Sequence, residues 1–118
     1  MNSVIEYVDS VKPNVYEPTE KYRWINKLEG LISTSVHGMA EPVCYDIPAD
    51  ADRELMVPHP FDDLYELYVG SMIDFYNKEY EHYNNSALMF TERLEQYKAY
   101  YNQRHAPGKA RNFRNVMG

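Results

Sequence analysis

Apolar side chains return every three or four residues along most of this chain, which is the spacing of a helix face turned to a core. Val4, Val8 and Val11 share one face and predict a short first helix. Asn2 or Ser3 can cap it, and Ser3 and Glu6 stand at capping-box spacing. It should stop before Pro13, which pushes residue 12 toward extended geometry. A second helix is predicted from Pro18 or Thr19. Its stripe is Tyr22, Ile25, Leu28, Ile32 and Val36, widened by Trp24 and Leu31, and Gly38 is its stop. Glu17 and Lys21 stand at ion-pair spacing on it.

The pattern breaks over 39–60. Pro42, Pro48, Pro58 and Pro60 exclude a continuous helix there. Val43–Ile47 reads as a short strand and Leu55–Val57 as a second extended piece, giving a structured loop or at most a small hairpin.

From Phe61 to Tyr101 the helical rhythm resumes and runs for 41 residues. Asp62 and Asp63 open it where the positive end of a helix favours acids. As one helix, Phe61–Arg104 would extend roughly 66 Å at ~1.5 Å per residue. A domain of this size has a radius of gyration of only ~13 Å. Two helices with a hinge are therefore expected. Asn84-Asn85-Ser86 offers a C-cap followed by an N-cap, and Asn77-Lys78 is a second break point. The predicted fold is all-α: a small bundle of about four helices, a Pro-rich loop or short hairpin between the second and third, and an extended C-terminal arm.

Charge changes this picture. The net charge is −6 over 118 residues. Residues 1–103 hold all 18 acids and eight bases, a balance of −10. The last fifteen residues hold Arg104, Lys109, Arg111 and Arg114 and no acid, a balance of +4. The chain thus divides into a helical body, 1–104, and a basic arm, 105–118. An acidic body is a poor grip for a phosphate backbone, which is held by Lys and Arg. The arm reads either as a solvated terminus or as a segment that docks on an acidic partner or nucleic acid.

Composition narrows the chemistry. The one cysteine, Cys44, allows no intrachain disulfide and fits a reducing compartment. It lacks a motif that would activate it and reads as a small buried hydrophobe. Met1–Ser10 carries Glu6 and Asp9 and no basic n-region, so no secretory leader is expected. No apolar run nears the ~18–20 residues needed to cross a bilayer. Asp50-x-Asp52-x-Glu54 opens like a calcium loop, but Leu55 and Phe61 stand where Gly and a bidentate Glu are required. His37, His59, His82 and His105 have no zinc-ligand spacing. Phosphate-binding loops and nucleophile elbows are absent from the sequence. The expectation is a non-enzyme without cofactor or metal.

Tyrosine is the remaining anomaly, at twelve residues. Tyr65, Tyr68, Tyr76, Tyr80, Tyr83, Tyr97, Tyr100 and Tyr101 fall on the last two helices. A tyrosine hydroxyl wants water or a partner, and tyrosine is enriched at interfaces. Tyr65, Tyr68, Tyr76, Tyr80, Tyr83, Tyr97 and Tyr101 are therefore expected at contacts between subunits. The bland alternatives are an aromatic core and rings lying flat on the surface.

One ordered set of segments goes further. It comprises Tyr7-Val8-Asp9-x-x-Lys12-Pro13-Asn14, Trp24-Ile25-Asn26-Lys27-Leu28-Glu29-Gly30-Leu31 and Asp62-Asp63-Leu64-Tyr65-x-x-Tyr68. Then come Met72-Ile73-Asp74-Phe75-Tyr76-Asn77-x-Glu79-Tyr80, Tyr83-Asn84-Asn85-Ser86 and Ala99-Tyr100-Tyr101. In this set most of the chain resembles the small head–tail adaptor, or connector, proteins of long-tailed bacteriophages. Many relatives have Gly where Lys78 stands, which bears on the hinge. The resemblance implies a helical virion subunit made in the bacterial host cytoplasm and assembled as a self-associating ring, typically twelve-fold, under the portal protein. Such a ring extends the DNA channel without specific binding and receives downstream neck, stopper or tail proteins. It also implies that the arm, through Arg104, Lys109, Arg111, Phe113 and Arg114, reaches the portal. No catalytic residue comes with the resemblance. Rival readings are a small acidic inhibitor or DNA mimic, a small helical enzyme, and another neck component such as a stopper or tail terminator.

Overall fold

The computed structural model describes residues 1–47 and 49–105. Four helices follow one another: α1 (Asn2–Val11), α2 (Pro18–Ser35), α3 (Asp63–Tyr76) and α4 (Tyr80–His105). The all-α class expected from the hydrophobic rhythm is what forms. The basic arm beyond residue 105 lies outside the described residues.

α3 is the central helix, and the other three pack around it. Its row Tyr65, Val69 and Tyr76 faces α2, where Tyr65 meets Glu29 and Tyr76 stacks on Trp24. A second row faces α4, with Tyr68 on Phe90, Phe75 on Tyr83, and Asp63 bound to Arg93. Gly70 and Asp74 face the end of α1. Lys12 reaches both: its stem passes 3.0 Å from where a Cβ on Gly70 would stand, and its amine pairs with Asp74 at 3.0 Å. The core gathers Val4, Ile5 and Val8 from α1, Ile25, Leu28 and Ile32 from α2, and Leu64, Val69 and Ile73 from α3. Each of these side chains contributes about 1.5–3 kcal/mol by leaving water.

Several local expectations change. The capping box does not form: Met1 occupies the N-cap, and Ser3 lies inside α1 without a capping bond. Glu17 does not pair with Lys21. Lys21 turns inward, 3% exposed, and binds Asp9 of α1 at 2.8 Å. α2 stops at Ser35, and Gly38 (φ 72°) then reverses the chain, the N–H of Met39 returning to the Ser33 carbonyl at 2.9 Å.

Among the described residues, Val43–Ile47 and Leu55–Val57 form no strand and no hairpin. Their N–H groups are taken by side chains instead. Val43 donates to Ser33 Oγ at 3.0 Å and Tyr45 to Asn26 Oδ1 at 2.8 Å. Met56 donates to Glu29 Oε2 at 2.7 Å and Val57 to the Tyr65 hydroxyl at 2.9 Å. α2 thus carries a ladder of polar side chains that takes the place of a neighbouring strand. Gly30 permits this approach, because a Cβ there would stand 3.3 Å from the Val43 carbonyl.

The hinge falls at Asn77–Glu79, the second of the two expected break points. Lys78 holds φ 63°. Its N–H bonds to the Phe75 carbonyl at 3.0 Å and that of Glu79 to the Asp74 carbonyl at 2.9 Å, which closes α3 with a left-handed C-terminal cap. Asn84-Asn85-Ser86, the other break point, runs unbroken through α4. Asn84 and Asn85 face solvent, and Ser86 donates to Asp74 Oδ2 at 2.8 Å, tying α4 to α3.

Candidate functional site

The expected interface tyrosines separate into two populations. Tyr65 and Tyr97 are each 1% exposed and belong to the core, so they are corrected from assembly surface to internal struts. Tyr65 donates to Glu29 Oε1 at 2.6 Å, and Tyr97 meets His37 Nε2 at 2.6 Å. Burial, with Glu29 close by, pushes the Tyr65 hydroxyl pKa well above its usual value. Burial, then Tyr101, Glu29 and Tyr100, pushes that of Tyr97 up to about 12. Both phenols therefore stay neutral at any ordinary pH.

The others sit at the surface or its margin. Tyr76 and Tyr80 are 52% and 55% exposed at the α3–α4 corner, with Phe75 and half-buried Tyr83 beside them. Phe75 contacts Tyr76, Tyr80 and Tyr83 with ring centroids 5.2–6.4 Å apart. Tyr76 also stacks on buried Trp24 at 5.7 Å, so the cluster is rooted in the core. Tyr68 is half-buried against Phe90. Tyr101 is sandwiched between His37 at 4.4 Å and His105 at 4.0 Å. α4 is unusual along its length: only Tyr97 of its 26 residues is buried. Leu88 and Met89 are more than half exposed on it. A helix of that length resting on one partner leaves most of its circumference open to solvent.

Of the expected arm contacts, Arg104 closes α4 with its guanidinium 4.9 Å from the Tyr100 ring. Lys109, Arg111, Phe113 and Arg114 lie outside the described residues. Cys44 is exposed rather than buried. Asp50, Asp52 and Glu54 bind no common centre: Asp50 takes the Asp46 N–H and Arg53, and Asp52 takes Asn2. Among the described residues, no three His, Cys, Asp or Glu side chains converge as a metal site.

Glu29 is the functional-looking residue that the pattern did not single out. It is 0% exposed and accepts from Tyr45, Tyr65 and the Met56 N–H, at 2.6–2.7 Å. A buried carboxyl with several donors is often a catalytic group. Here every donor comes from the fold itself, so the residue serves as a tie between α2, α3 and the 43–57 loop. Its signal was a charge in the otherwise apolar row Ile25, Glu29, Ile32, Val36. Lys12–Asp74, with Asp74 3% exposed, is a second such tie.

Two shallow concavities differ in character. One of about 370 Å³ lies at the start of α1 and α3 among Asp52, Glu54, Asp62 and Glu66. Another, of about 360 Å³, runs between α1 and α4 and is mainly apolar. No described helix is long and apolar enough to cross a membrane. Compared with protein-family models, curated proteins and solved structures, the chain matches none.

Proposed function

We propose that this chain is one subunit of a head–tail adaptor ring, a structural virion protein that joins a phage portal to downstream neck or tail proteins and lengthens the DNA channel. The observation that carries the reading is the exposed aromatic and apolar surface of the α3–α4 hairpin. Phe75, Tyr76, Tyr80, Leu88 and Met89 are each more than 40% exposed on one continuous element. Patches of this kind mark interaction sites. A ring closed by head-to-tail contacts needs such a surface on each flank of every subunit.

Two further features support it. The described residues carry all 18 acids against nine Lys and Arg. A duplex passes such a wall without adhering, because few cations are offered to its phosphates. The described elements are entirely helical, as the resemblance to adaptor proteins implies, whereas stopper and terminator components are richer in strands. The reading assigns no catalytic step and no cofactor.

Negative-stain imaging of the purified chain tests it. Closed rings of ten or more subunits with an open centre are expected. A uniform field of monomers or compact dimers overturns the reading in favour of a small acidic inhibitor. Removing residues 104–118 is expected to weaken binding to portal particles while leaving the body folded.

A further inference from the structure

The groove between α1 and α4 has an apolar floor and one uncommitted charge. Tyr7, Val11, Leu67 and Met89 line it, and Tyr7, Val11 and Met89 are each more than half exposed. Three charged groups also border it. Lys12 is held by both oxygens of Asp74, and Asp63 is held by Arg93 at 2.9 Å. Glu66 has no ion-pair partner among the described residues. Its surroundings make that costly: burial, then Asp63 and Asp62, push its carboxyl pKa above the ordinary value. A cation delivered here would relieve the repulsion among three acids.

A second surface of the subunit offers the complementary chemistry. The outer stripe of α2 runs through Arg23, Lys27 and Leu31, one turn apart. Arg23 is taken by Glu20 at 3.1 Å, whereas Lys27 has no ion-pair partner among the described residues. Leu31 is 50% exposed. On the helical wheel of α3, the row facing α2 and the row lining the groove stand roughly 135° apart. The stripe lies on α2 and the groove is lined by α1, α3 and α4, so the two are separate surfaces of one copy.

We propose that a second copy of this chain fills the groove with its α2 stripe, Leu31 entering the apolar floor and Lys27 pairing with Glu66. The contact is heterologous: each copy gives its stripe to one neighbour and its groove to the other, so the pattern propagates and closes when the rotation permits. It places opposite charge on opposite charge and leucine on leucine and methionine. This inference rests on the ring reading and names its seam.

Charge reversal tests it on the full chain by sedimentation velocity and native mass spectrometry. Lys27→Glu or Glu66→Lys alone is expected to weaken self-association about tenfold or more, since like charges then face across the seam. Helical circular dichroism and melting temperature should stay near wild type, because Lys27 is exposed and half-buried Glu66 has no ion-pair partner among the described residues to lose. Mixing the two single variants restores assembly, because copies that alternate place one acid opposite one base at every seam. The K27E/E66K double variant also recovers within a few-fold. Single variants that assemble like wild type overturn this seam and leave the ring reading standing. A folded double variant that fails to recover overturns it too, as does a wild-type chain that stays monomeric at millimolar concentration. Charge-sensitive assembly that stops at two copies keeps the seam and overturns the ring.

Discussion

Two ends of the same bundle use tyrosine in opposite ways. At the end where α2 meets the 43–57 loop, Tyr45 and Tyr65 direct their hydroxyls at Glu29, and the Tyr97 hydroxyl is bonded to His37 Nε2. At the other end, around the α3–α4 corner, Tyr76 and Tyr80 keep half of their surface in water. The difference lies in the partner. A hydroxyl that finds an internal acceptor can be buried at no loss of hydrogen bonding, and the ring then adds its full apolar area to the core. A hydroxyl without one stays at the boundary, where it serves a neighbour as well as it serves water. The first end holds the fold; the second is free to be recognised.

That contrast is breakable. The largest effect is expected from Glu29→Ala, which strands two buried hydroxyls and the Met56 N–H without an acceptor. Urea unfolding should report a loss of about 3–5 kcal/mol or an unfolded chain. Tyr65→Phe removes one donor to Glu29 and the acceptor of the Val57 N–H, and should lose about 1–3 kcal/mol by the same measurement. If either change is neutral, the loop is not held as described.

Lys78→Gly works in the other direction. A non-glycine residue at positive φ carries roughly 1–2 kcal/mol of strain, part of which glycine returns through its freer unfolded chain. A net gain of about 0.5–1 kcal/mol is expected. No gain would mean that the left-handed cap is not the hinge.

The His37 contact gives a pH signature. Burial lowers its pKa below the ordinary 6.5; Glu29 opposes this and His105 adds to it. The folded protein thus binds this proton more weakly than the unfolded chain does. Its contribution is complete above about pH 6.5 and is lost as pH falls below that value. The melting temperature should drop on acidification through this window, and His37→Gln should flatten the slope. An unchanged slope removes His37 from the account. Smallest of all on stability is Tyr80→Ser, expected within about 0.5 kcal/mol of wild type in urea. Its effect should appear in self-association instead. A large stability loss would make the corner part of the core and erase the distinction between the two ends.

Much of the fold was legible in the sequence because amphipathic spacing is a physical requirement of packing helices. The rows Val4–Val8 and Ile25–Leu28–Ile32 occupy the core as their spacing requires. Asn77-Lys78 was one of the two break points that the residue types offered, and Lys78 holds the left-handed cap there although it has no intrinsic preference for that region. The misreadings share one cause. Asn84-Asn85-Ser86 has the residue types of a helix boundary, but Ser86 finds Asp74 on the facing helix and the helix continues. Val43–Ile47 has strand character, yet its donors met Asn26 and Ser33 before they met another strand. The tyrosines could not be sorted by spacing, since only the presence of Glu29 or His37 opposite decides which are buried. In each of these three a tertiary hydrogen bond overrode a local preference.

The central claim, that one end holds the fold while the other meets neighbours, is tested most directly by amide hydrogen exchange on dilute and on concentrated protein. On assembly, added protection is expected along the α3–α4 corner and the α1–α4 groove, with exchange over the 43–57 loop unchanged. Identical exchange across the corner and groove at both concentrations, or new protection confined to the 43–57 loop, would contradict it.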